Sequence, residues 1–219
     1  MWQWQWLLRA PAGAARYDSR TFRFDNGEIR VLTFRQASGG VLHQVTTETQ
    51  LYVIKGSATV GVGGATVPVH AGDAVNLPSG VIRSIAGQVE DTTLLLHTLR
   101  TAPGSKAVVL RATDTPAAPL TAGPKAGTEN VKVAVQRFAF GDNSIRVAHL
   151  VGPGRTGTVT PPVDALIYLL SGRMQITIGE EQRIVQAGDA LCEAAGLETH
   201  WDVLEESSFV ATNGPKAAP

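Results

Sequence analysis

The 219 residues suffice for one larger domain or two small ones with buried cores, and 43% hydrophobic against 17% charged residues exclude a disordered chain. Nineteen basic residues balance nineteen acidic ones, which leaves no electrostatic footprint for nucleic acid or an anionic membrane. The single cysteine, Cys192, excludes an intrachain disulfide; with no membrane-length apolar run and too short an apolar start for a secretory signal, a soluble cytoplasmic protein is expected.

The chain opens with an arm, residues 1–20, that begins "MWQWQW". In an extended strand Trp2, Trp4 and Trp6 share one face, and three indoles on one side predict packing on a barrel or on a second copy of the chain as a homodimer. From residue 21 short β-branched runs follow one another: "IRVLTF", "LYVIKG", "ATVGVG" and "TLLLHTL", then "VKVAV", "IRVAHL", "LIYLL" and "MQITIG". Glycine and proline punctuate them, and no long helical period interrupts, so the prediction is an all-β sandwich or barrel. Residues 113–130, "TDTPAAPLTAGPKAGTEN", have the composition of a structureless linker.

The two sides of that linker are versions of each other. "FRFDNGEIRV" from Phe22 matches "FAFGDNSIRV" from Phe138, "LYVIKG" matches "IYLLSG", and "VHAGDAVNLPSG" matches "VQAGDALCEAAG". The offset is a constant 116 residues, as from Phe22 to Phe138, Gly56 to Gly172 and Gly72 to Gly188. A gapless repeat with so long a period is no solenoid; it predicts two copies of one β domain, at residues 21–112 and 131–219.

With "GDAVNLPSG" and "GDALCEAAG" in view, the chain resembles the two-domain members of the cupin superfamily. Their pattern is G-x5-H-x-H-x3,4-E-x6-G followed by G-x5-P-x-G-x2-H-x3-N. Gly72, Pro78 and Gly80 match the second motif, as do Gly188 and Gly196, while Ala194 replaces the proline; His43, Gly56 and Gly172 match the first. The resemblance implies two tandem double-stranded β-helix, or jelly-roll, barrels. It also implies a metal site of three histidines and one glutamate in each lumen. Those positions read His43, Val45, Thr49 and Arg83 in the first repeat and Val159, Pro161, Ala165 and Thr199 in the second. Valine, proline and alanine side chains carry no donor, and a guanidinium brings its own positive charge, so no metal is expected. A metal, if held, would be held through His43.

Neighbouring acids do not repair the shell. Glu48 and Asp164 lie one residue before the glutamate position, and His200 one residue after the last; a one-residue shift turns a strand side chain to the other face unless a bulge restores it. Glu48 and Asp164 are expected to be exposed acids at strand starts. Tyr52 and Tyr168, opposite in parity to the lumen set, are expected to pack between sheet and arm. His149 and His97 are expected to be satisfied core histidines, His70 exposed, and Cys192 a buried inert thiol.

His43 and Arg83 are expected to converge on one cavity. A guanidinium fork suits a carboxylate or phosphate, and an imidazole beside it donates a hydrogen bond or moves a proton. The expected function is therefore binding of a small anionic or sugar-like molecule in the first barrel, by His43, Arg83, Thr49 and Val45. The second lumen (Val159, Pro161, Ala165, Thr199) would be structural or take an apolar ligand. The rival classes are an enzyme and a structural bicupin. The enzyme would be a metal-independent isomerase or epimerase using His43, or a metal-dependent dioxygenase or decarboxylase with a rearranged shell.

Overall fold

The computed structural model describes residues 17–35, 41–44, 47–99, 107–121 and 130–213, without the side chains of 41–44 and 99. Residues 1–16 of the arm, with Trp2, Trp4 and Trp6, lie outside the described residues, as do Val45 and the His43 side chain.

In the first half the strands are β1 (Tyr17–Phe24), β2 (Gly27–Phe34), β3 (Val41–Gln44), β4 (Thr49–Lys55), β5 (Ser57–Val62), β6 (Ala65–His70), β7 (Ala74–Leu77), β8 (Ile82–Gly87), β9 (Thr92–Leu99) and β10 (Val108–Leu110). They form a six-stranded sheet, β1-β2-β9-β4-β7-β10, and a four-stranded sheet, β3-β8-β5-β6. Leu32, Phe34, Leu51, Val53, Leu77 and Leu94 from the larger sheet pack against Ala58, Val60, Val69 and Ile85 from the smaller. That is one closed two-sheet barrel.

The second half repeats it with β12 (Lys132–Phe140), β13 (Asn143–Val151), β14 (Gly154–Arg155), β15 (Ala165–Ser171), β16 (Arg173–Ile178), β17 (Glu181–Gln186), β18 (Ala190–Glu193), β19 (Thr199–Val203) and β20 (Ser207–Asn213). The turn glycines repeat in conformation as well as in sequence: φ is 79° at Gly56 and 80° at Gly172, 88° at Gly72 and 91° at Gly188. At Gly172 a Cβ would lie 2.2 Å from the Glu206 carbonyl oxygen, so both the positive φ and the close approach demand glycine. The fold is two tandem all-β barrels.

The linker is less bare than its composition suggests. Ala112–Asp114 form a 3₁₀ turn, and β11 (Ala118–Pro119) pairs with β12, with Leu120 packed on the second core. An apolar leucine inside a proline-rich stretch is what pins it.

The two six-stranded sheets lie back to back. Ile29, Tyr52, Ala74 and Leu95 from one barrel form a core with Phe138, Phe140, Ile145, Val147, Leu166 and Val210 from the other. Burial on both faces explains why "LYVI" and "LIYLL" read as continuous apolar runs instead of alternating. Tyr52 meets Phe138 at 6.3 Å between ring centroids, and Tyr168 meets Phe22 at 6.1 Å. The tyrosines thus pack on the opposite barrel, and each pair is the other's equivalent in the repeat.

Candidate functional site

Strand alternation sends Thr49, Leu51 and Val53 into the first lumen and Gln50 and Tyr52 toward the second barrel. Arg83, opposite His43 in the β3–β8 register, is 5% exposed. It does not run out to solvent. Its Nη2 donates to Thr49 Oγ1 at 2.8 Å and its Nη1 to the Leu77 carbonyl at 3.3 Å, while Thr49 Oγ1 lies 3.3 Å from Thr98 Oγ1. Two of the four inherited positions, Thr49 and Arg83, therefore meet. Burial alone lowers the guanidinium pKa to about 10, so it stays charged at neutral pH. Its hydrogen-bond acceptors among the described residues are neutral oxygens, and it makes no ion pair there. Such a donor set does not fit the metal that the resemblance implies, because a fixed cation stands where an imidazole ligand would be.

Glu48 is the main correction. It is 2% exposed, and its Oε1 accepts from Asn143 Nδ2 at 3.2 Å in the other barrel. Parity did carry it away from the lumen, but that face is covered by the second barrel, not by water. Asp164 is likewise half-buried: Asn26 Nδ2 donates to it at 2.6 Å and the Ala195 amide at 2.7 Å. Each hairpin loop thus reaches the acid that precedes the other barrel's lumen strand. No sequence feature of one repeat alone would show this. The signal was the joint presence of an acid before each lumen strand and an asparagine at each hairpin.

His97 is buried between the barrels, with Nδ1 2.5 Å from Thr212 Oγ1, and burial lowers its pKa to about 3. His149 shares the face of Ile145 and Val147 but is exposed, a correction explained by its place near the strand end beyond the covered area. His70 is exposed. Cys192 is half-buried, touches Asn26, and burial pushes its thiol pKa up. His200 stays opposite Thr177 across the β16–β19 pair, and Trp201 beside it joins the core, so the alternation is intact. Among the described residues no three His, Cys, Asp or Glu side chains gather to hold a metal ion.

Val159, Pro161, Ala165 and Thr199 all line one cavity of about 520 Å³ in the second barrel. Val159 and Thr199 bridge through both backbone amides, at 2.9 and 2.7 Å. Its wall is apolar, with Trp201 edge-on to Phe209 at 4.6 Å, and its polar side chains include Arg146, Arg137, Glu193 and Asn213. Arg146 was not picked out in the sequence, although "IRV" is kept at the same offset in both repeats; its equivalent, Arg30, lies in the first barrel. Arg30 Nη2 pairs with Glu28 at 2.6 Å. Ser144 replaces that glutamate, and Arg146 Nη2 donates instead to Asn213 Oδ1 at 2.6 Å.

The EutQ-like cupin domain profile matches residues 150–208, most of the second barrel. No curated protein sequence matches the chain. Among solved structures, AerE from Microcystis aeruginosa is similar with a TM-score of 0.77 at 11% identity, over 92% of this chain and 94% of that one. The Ylba protein of E. coli gives 0.71 at 16% identity, over 93% and 85%. The Lactobacillus farciminis oxalate decarboxylase formate complex gives 0.66 at 12%, over 91% and 84%. At such identities the likeness is one of fold.

Proposed function

We propose that this chain, two tandem barrels of cupin fold, is a small-molecule-binding protein of the cupin superfamily whose first barrel takes a small anionic or sugar-like ligand without that superfamily's usual metal. The observation that carries this reading is Arg83, a buried guanidinium bonded to neutral oxygens. Burying an uncompensated charge costs several kcal/mol as an order of magnitude, roughly, and an anion in the lumen would offset it. The stretches outside the described residues contain a single acidic side chain, Glu129. Thr49 is the proposed second contact, and His43, at the register position opposite Arg83, the third, as hydrogen-bond donor or proton carrier. Val45 would complete the lining.

A metal-dependent decarboxylase or dioxygenase with a rearranged shell is disfavoured, because the acid it would recruit, Glu48, is bonded to Asn143 on the far side of the sheet. A metal-independent isomerase working through His43 would use the same anion site and adds only a proton transfer.

Oxalate and formate are sensible first probes, since the decarboxylase of like fold was solved with formate. Thermal shift and calorimetry with these anions, phosphate and glucose 6-phosphate, against uncharged glucose, test the reading. Anions should raise the melting temperature of the wild type, by linkage, and of Thr199→Ala, but not of Arg83→Gln. Equal shifts in wild type and Arg83→Gln, or none in the wild type, would refute it.

A further inference from the structure

The second lumen is enlarged by specific replacements. The repeat sets Ala148 against Leu32, Ala165 against Thr49 and Thr199 against Arg83; the strand register sets Ala211, opposite Ile167, against Leu96, opposite Leu51. Four side chains are trimmed, three of them to alanine, and the cavity is where they were. The reverse trend is local: Trp201 replaces Ile85, and Phe209 replaces Leu94 on the same wall. The space is therefore hollow at the sheet centre and aromatic along one side. Leu120, Pro119 and Ala118 of the linker also border it.

Thr156, Thr199 and His200 border it away from the six-stranded sheet, but its arginines and its carboxylate gather on that sheet. Arg137 pairs with Arg146 across β12 and β13, and Ala165 is flanked in register by Asn213 on β20 and Glu193 on β18. Arg146 bonds Asn213 diagonally. So the polar side chains run diagonally across one end of the six-stranded sheet: Arg137 and Arg146 stand in register with Ala211 and Ile167, Asn213 and Glu193 flank the small Ala165 one step further toward that end, and the register row on the other side (Val135, Ala148, Phe209, Leu169) is apolar. Two guanidiniums stand against one carboxylate, leaving one positive charge beside a predominantly apolar space.

We propose that the second barrel is a separate binding site for a monocarboxylic acid with a bulky apolar or aromatic body, its carboxylate on Arg146 and its body between Ala165, Ala211, Trp201 and Phe209. The chemistry follows from the site. A guanidinium donates to two carboxylate oxygens in one plane, a small unbranched floor admits a ring, and the aromatic wall offers an edge-to-face partner. A cavity of this volume is the size of an ordinary small-molecule site. This site does not depend on the first-barrel reading, since it uses none of the same residues.

The test uses the full chain with 3-phenylpropionate, its amide, and formate as probes, read by calorimetry and by the fluorescence of Trp201. Trp201 is separated from the arm tryptophans by replacing Trp2, Trp4 and Trp6 with phenylalanine. The acid should bind and perturb Trp201. The amide should bind about tenfold or more weakly, as should the acid to Arg146→Gln, because a charge-assisted contact is lost. Thr199→Arg, which installs the first barrel's own residue, and Ala165→Leu should each block the acid by filling the space. Arg83→Gln should leave it unchanged. Absence of acid binding to the wild type overturns the proposal. So does equal affinity for acid and amide, undiminished binding to Arg146→Gln, or undiminished binding to whichever of the two filling variants folds.

Discussion

Replacing His97 with glutamine should flatten the acid side of the stability profile, by an amount that follows from burial. His97 is 1% exposed and sits between the barrels, where only Thr212 Oγ1 is bonded to its Nδ1 and its Nε2 has no partner among the described residues. Gln50 lies opposite it in the sheet, and burial alone holds its pKa down to about 3. An unfolded histidine titrates near 6.5. Below that value the unfolded chain takes up a proton that the folded chain refuses, so this contribution is complete above about pH 6.5 and is lost progressively as pH falls toward 3. Each pH unit in that window costs about 1.4 kcal/mol, which makes about 2 kcal/mol between about pH 7 and about pH 5. The figure depends on the unfolded value alone, provided that the folded pKa stays well below 5. Urea unfolding at those two pH values and constant ionic strength, followed by far-UV circular dichroism, should show the wild type losing about 2 kcal/mol more than His97→Gln. The amide keeps a hydrogen-bonding group beside Thr212, so the variant removes the titration and little else. Equal losses in the two proteins, or an imidazole resonance of His97 that titrates near 6.5 in the folded chain, would refute the argument.

Gly172→Ala should cost at least about 1–3 kcal/mol, because φ is positive and the new Cβ meets the Glu206 carbonyl. Gly196→Ala, with like φ but open space around it, should cost less, and paired thermal melts of the two distinguish strain from collision. Phe138→Ala, at a fully buried ring in the core between the barrels, should lose about 3–5 kcal/mol in chemical denaturation.

The constant offset made two copies legible, and strand parity correctly separated Thr49 from Glu48. What neither could supply was the surface against which the outer face rests. A half-buried sheet and a sheet buried on both sides differ only in the polarity of alternate residues, and Gln50 and Glu48 are polar enough to pass for a solvated face. Their burial is a property of the pair of barrels. The second cavity is legible in the aligned repeats as a loss of volume, Leu32 against Ala148, which the ligand donors at the four metal positions do not register. The exposure of His149 has another reason: period two assigns a face and says nothing of where along the strand the cover ends.

The contact between the barrels also bears on why the lumens differ. Tyr52–Phe138 and Phe22–Tyr168 exchange under the repeat, as in a two-fold dimer whose patch meets itself. Gln50 opposite His97 corresponds to Leu166 opposite Thr212, so His97 and Thr212 are equivalent positions that bond to each other near the axis. In a symmetric dimer both would be histidine, or both threonine, and the donor–acceptor match would not be built in. Joining two copies in one chain removes that constraint. Once the axis could carry unlike residues, so could the lumens, one keeping Arg83 against Thr49 and the other trimmed to alanine around Arg146. Two sites of different ligand chemistry on one rigid back-to-back scaffold are what such a divergence makes available.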